Sequence, residues 1–64
     1  MEIHAELFHD DKKNEFLNYL PAGVSIKRKG ASRSCIFECS DELDKLELIE
    51  ILEENQVCYQ DMDK

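Results

Sequence analysis

The sequence is short of positive charge: eight Lys and Arg stand against fifteen Asp and Glu, a net charge of -7 over 64 residues. That imbalance repels nucleic-acid phosphate and anionic membranes, so contact with either needs a local basic patch that outweighs the global field. Basic protein surfaces are the easier partners. Glycine is scarce, with two residues, and no glycine-rich phosphate loop, nucleophile elbow, or His placed beside a Ser or Cys in catalytic context occurs. No enzyme is expected. No apolar run approaches the ~18 residues a membrane span requires. Met1–Glu6 carries acids where a secretory signal carries Lys or Arg, so the chain reads as cytoplasmic.

Cysteine pairing is also missing. Cys35, Cys39 and Cys58 are odd in number and form no C-x-x-C motif, so they read as reduced, mostly buried small apolar residues. Cys35 and Cys39 lie ~13 Å apart at strand rise, too far to share a zinc ion or a disulfide. His4 and His9, taken with Glu6, Asp10 or Asp11, match no ligand spacing, and neither a metal nor another cofactor is expected. So short a chain buries only about 60% of its unfolded surface. Its small core leaves little room for the ~300 Å³ pocket of a small-molecule substrate.

Apolar residues at 42% and charged residues at 36% exclude simple disorder and indicate one small folded domain over residues 1–64. From Glu2 to Phe8, Ile3, Ala5 and Leu7 alternate with Glu2, His4 and Glu6, the period of a half-buried strand. Asp10 or Asp11 then caps a short helix over Lys12–Leu20, with Phe16, Leu17 and Leu20 on its apolar face, and Pro21 and Gly23 end it. Val24–Lys29 and Ser34–Cys39 alternate again around a turn at Gly30-Ala31-Ser32, which makes a hairpin. Lys27 and Lys29 are expected on the open side of the sheet and Arg28 on the helix side or strand edge.

Ser40 is placed to cap the longest periodic run, which ends near Asn55, a residue able to close a helix in the left-handed conformation. Acids in its first turn suit the macrodipole, whereas Glu53 and Glu54 at its end do not. Val57-Cys58-Tyr59 reads as a brief last strand, and residues 60–64 as a frayed tail. The order β-α-β-β-α-β is that of a split βαβ unit, and over the whole chain it resembles the ferredoxin-like superfold. The resemblance implies an α+β fold: one antiparallel sheet with its first and third strands central, two helices on one face and the other face open. It implies no function.

On the long helix, Leu46, Leu48, Ile49 and Leu52 are assigned to the core. Leu43 and Ile51 are placed on the outward side among Asp44, Glu47, Glu50 and Glu54, where aliphatic residues inside a charged rim suit a partner. The expected function is that of a small acidic regulator or inhibitor that engages a basic protein, a class that by association includes phage-encoded blockers of host machinery. The acid row would imitate the phosphates of a nucleic acid if the partner binds one. Two alternatives stand beside it: a nucleic-acid-binding module using Lys27, Arg28, Lys29 and Arg33, or a homodimer that enlarges an insufficient core. Against the first, the expected open-face positions His4, Glu6, Ser34, Ile36 and Glu38 lack the exposed aromatics on which bases stack.

Overall fold

Alternation along Glu2–Glu6 does set one face of a strand, β1, in the interior, with Ile3 and Ala5 buried. A computed structural model of the chain describes residues 1–30 and 33–63. After β1, Asp10 accepts a hydrogen bond from the Lys12 N–H at 3.0 Å and starts a helix over Asp11–Tyr19. The sequence predicts an α-helix here, but the nine residues form a 3-10 helix. Its Asn14 side chain turns back to Phe8, accepting the Phe8 N–H at 3.0 Å and donating to the Phe8 carbonyl at 2.9 Å. One amide thereby satisfies both backbone groups where the chain leaves the sheet.

Strands β2 (Val24–Lys29) and β3 (Ser34–Cys39) form the expected hairpin; the predicted turn lies, at Ala31 and Ser32, outside the described residues. The helix α1 covers Glu42–Glu54 and the last strand, β4, covers Cys58–Asp61. All pairings are antiparallel, in the spatial order β2-β3-β1-β4, so β1 and β3 are central. The result is a small α+β domain with a four-stranded antiparallel sheet and two helices. No helix among the described residues is long and apolar enough to cross a membrane.

One core cluster joins Ile3, Ala5 and Leu7 with Cys35, Phe37 and Cys39 of β3, Val24 of β2, Phe16 of the 3-10 helix, Leu48 and Leu52 of α1, and Val57. Burial of the two thiols raises the pKa of Cys35 and Cys39 above the ordinary 9.0. Cys58, by contrast, is exposed, because on β4 it sits opposite Glu6, on the sheet face turned away from the core.

Several local expectations are corrected. Asp41, not Ser40, caps α1: its Oδ1 accepts the Asp44 N–H at 2.9 Å, while the Ser40 hydroxyl donates to the Gly23 carbonyl at 3.0 Å. Asn55 keeps a negative φ of -92°, and Gln56 takes the left-handed conformation at φ 59°. Its N–H reaches the Glu53 carbonyl at 3.1 Å, and the Val57 N–H reaches that of Leu52 at 2.8 Å. These are the two bonds of a Schellman closure, completed by apolar burial of Leu52 and Val57.

The tail is held rather than frayed as far as it is described. Gln60 and Asp61 belong to β4, the Met62 N–H bonds the Glu2 carbonyl at 3.2 Å, and Asp63 accepts the Glu2 N–H at 3.2 Å; Lys64 lies outside the described residues. Lys45 of α1 meets Asp61 at 3.0 Å, the two side chains only 12% and 7% exposed, and this pair fastens helix to edge strand. That hydrogen bond raises the pKa of Lys45.

Candidate partner-binding surface

Successive residues of an α-helix turn by about 100°, so the inward arc of α1 is fixed by the fully buried Leu48 and Leu52. Ile51 lies about 60° to one side of Leu48, and it is half-buried against the core. Its expected outward position is thus corrected. Leu46 is corrected in the other sense. Two residues from Leu48, it is turned by about 200°, and it is 53% exposed beside Leu43 at 72%. The helical wheel alone carries that signal: Leu43 and Leu46 are spaced i, i+3 and are therefore surface neighbours.

Glu42, Glu47, Glu50, Glu53 and Glu54 are the exposed acids of the helix, and they surround this leucine pair. Glu53 accepts the Tyr59 hydroxyl at 3.1 Å. Glu47, Glu50 and Glu54 make no ion pair or hydrogen bond among the described side chains. Along the axis they are stepped by about 4.5 and 6 Å. The lone cation of α1, Lys45, is spent on Asp61. The outward face is consequently aliphatic in the middle, anionic around it, and uncompensated.

Asp44 does not join that face. It is half-buried and turned toward the start of β2, where a Cβ on Gly23 would lie 1.8 Å from its Oδ2. Glycine is required there for so close an approach. Desolvation, with Asp41 nearby, raises the pKa of Asp44. Ile51 and Glu54 instead line a shallow groove between the helices, together with Phe16 and the 79% exposed Tyr19.

The basic hairpin is reorganised by a β-bulge. Ile26 pairs with Phe37 and Arg28 with Ile36, so one residue, Lys27, is extra on β2. Beyond the bulge the alternation inverts. Arg28 shares a register with Ile36 on the outer face, and Lys29 shares one with Cys35 on the core side, the reverse of the expected orientation. Lys27 still reaches the outer face, where it bonds Glu2 and, as the first cause, lowers the pKa of that carboxyl; the same contact raises the pKa of Lys27. Arg33 reaches Glu6 at 3.6 Å. Two of the four hairpin cations are therefore already paired within the chain.

Of the predicted outer-face positions, Glu6 and Ser34 are exposed and His4, Ile36 and Glu38 are half-buried. His4, Glu6, Ser34 and Ile36 line an open groove of about 650 Å³ over the sheet, more space than the small core was expected to leave. The core is as small as predicted, but this space lies over the sheet and does not depend on the core. In comparisons with known proteins, no family model, no curated protein and no solved structure matches the chain.

Proposed function

We propose that the chain is a small protein-binding regulator or inhibitor that docks a basic partner on the outward face of α1. The observation that carries this reading is the pair of exposed leucines, Leu43 and Leu46, set among carboxylates of which Glu47, Glu50 and Glu54 make no ion pair among the described residues. Such a face meets both needs of a specific contact: desolvated aliphatic area at the centre and long-range charge at the rim. Where the partner is a nucleic-acid-binding protein, the stepped carboxylates stand in for phosphates. Leu46 joins Leu43, Glu47, Glu50 and Glu54 in this assignment, Ile51 supports the flank from the interhelical groove, and Asp44 serves the fold.

A ferredoxin-like topology and a cytoplasmic setting accompany the proposal. The strand order β2-β3-β1-β4 and the sharing of one core by Phe16, Leu48 and Leu52 support the topology. Free cysteines are consistent with a reducing compartment. Nucleic-acid binding by the hairpin is less favoured, because Lys27 and Arg33 are neutralised by Glu2 and Glu6.

The test is an affinity pull-down from native host lysate with the chain and with its Glu47→Lys, Glu50→Lys, Glu54→Lys triple variant, folding being checked by circular dichroism. A partner retained by the first and lost by the second, with retention falling as salt rises, is expected. Equal retention by both would remove α1 from the interface. Retention on heparin that disappears with Lys27→Glu would favour the hairpin instead. A tight dimer in sedimentation, dispersed by Leu43→Ser, would turn the same face into a self-contact.

A further inference from the structure

The outer face of the sheet differs electrostatically from the rest of the molecule. Each of its three carboxylates is already held by a cation: Glu2 by Lys27, Glu6 by Arg33 at 3.6 Å, and Glu38 by the amino group of Met1 at 3.3 Å. Arg28 is left over, with no ion pair among the described residues. In a chain of net charge -7 this face therefore carries a small positive excess.

Strand register places that excess in a defined setting. Arg28 pairs with Ile36, Ile36 with His4, and His4 with Gln60, a row that crosses all four strands of the sheet. Three inter-strand steps make it about 14 Å long. Ser34 stands in the next outward-facing row, opposite Glu6. Together these side chains line the groove of about 650 Å³, within the usual size of small-ligand sites. A guanidinium occupies one end, a flat apolar and aromatic floor of Ile36 and His4 the middle, and a primary amide the other end. His4 Nε2 lies 3.4 Å from Glu2 Oε1, which leaves its Nδ1 without a partner among the described residues.

We propose that this groove binds a small anion-bearing ligand with a flat ring, its phosphate or carboxylate on Arg28 and Ser34 and its ring across Ile36 and His4. The guanidinium fork suits two oxygens of one anion, and a ring laid on the row keeps water from Ile36. A single anion is favoured over a polymer. Compensation holds only across this face, and a longer polyanion would run beyond it into the uncompensated field of the chain. The proposal does not depend on the α1 surface, since the two lie on different sides of the sheet.

The test is an NMR titration of the full ¹⁵N-labelled chain with two probes, adenosine monophosphate and benzoate, with adenosine as the uncharged control. Saturable shifts confined to His4, Arg28, Ser34, Ile36 and Gln60 are expected with one or both anions, and they distinguish phosphate from carboxylate. Arg28→Gln, at an exposed position, should weaken binding by about tenfold or more, and Arg28→Lys should restore only part of it. Adenosine should bind about as weakly as the anion binds to Arg28→Gln. Absence of saturable shifts with both anions would overturn the proposal, as would binding unchanged by Arg28→Gln. An oligothymidylate that binds more tightly than adenosine monophosphate would assign the face to nucleic acid and overturn it equally.

Discussion

Leu46 and Leu48 stand two residues apart on one helix, and truncating each to Ala should have opposite consequences. Leu48 is fully buried. Removing a buried leucine side chain from a packed core costs about 2.7–5 kcal/mol, the transfer term plus the cavity left behind. A domain of 64 residues holds a total stability of only about 3–10 kcal/mol, at 0.05–0.15 kcal/mol per residue. Leu48→Ala should therefore remove between about a quarter of that stability and all of it. Leu46, at 53% exposure, loses at most about half of the roughly 2.4 kcal/mol that three buried carbons represent, and the better helix propensity of Ala offsets part of that. Its net cost should be below about 1 kcal/mol, and that of Leu43→Ala, at 72% exposure, below about 0.5 kcal/mol.

Urea titration followed by far-ultraviolet circular dichroism measures all three. With a slope near 1 kcal/mol/M, usual for a chain this small, Leu46→Ala shifts the midpoint by under about 1 M while Leu48→Ala lowers it by about 2.7 M or more. A loss above about 2 kcal/mol at Leu46 would show that the residue is covered in solution, and the docking surface proposed for α1 would be refuted at its centre. If that loss grows on dilution, the cover is a second copy of the chain.

Gln56→Gly should stabilise the chain by about 0.5–1 kcal/mol, because the left-handed closure of α1 strains any residue with a Cβ; a rise in the urea midpoint checks it, and a fall would mean that the Gln56 side chain contributes contacts of its own. Stability should decline above about pH 9: the folded-state pKa values of Cys35 and Cys39 are raised from 9.0, so their contribution is complete below the unfolded value and is lost as pH rises through the folded ones, while Lys45, raised from 10.5, adds to the loss only above that higher value. Urea midpoints taken from neutral to about pH 10 read this slope, and a Cys35→Ala, Cys39→Ala variant should flatten it. Lys45→Gln should release β4, seen as faster hydrogen exchange at Cys58–Asp61 with exchange in β3 altered less; uniform loss across the sheet would deny the pair its local role. Glu54→Lys should raise helix stability by about 0.3–1 kcal/mol through the macrodipole while weakening capture of the basic partner.

The order of elements was legible because two independent periods marked it, alternation in Glu2–Glu6 and Ser34–Cys39 and a helical run from Glu42 to Glu54. What stayed hidden was local. The bulge at Lys27 has no glycine to announce it, yet it reverses the faces of Arg28 and Lys29. Gln56 does by tertiary constraint what Asn55 does more readily by propensity, since Val57 must enter the core next to Leu52. Leu46 was within reach of the sequence: a strict 100° wheel separates it from Leu48, but a helix apolar over so much of its circumference conceals which arc faces in. The half-buried side of Ile51 depends on where the 3-10 helix lies, which no periodicity encodes.

Charge placement connects these findings to function. Cations are concentrated where carboxylates approach the sheet or its edge: Lys27, Arg33 and Lys45 answer Glu2, Glu6 and Asp61. Glu47, Glu50 and Glu54 receive no ion pair among the described residues, and Glu54 sits at the helix end where the macrodipole opposes it. Within the chain those acids repel one another without an ion pair in return among the described residues. Solubility alone would be met by the same charges dispersed over the surface, with less mutual repulsion. Gathered on one helix face around Leu43 and Leu46, they give the molecule a directional field, which under the proposed function would bring a basic surface to the two leucines first. A local rule broken without internal compensation marks a working surface more often than a structural one, and on α1 the breach and the exposed aliphatic pair coincide.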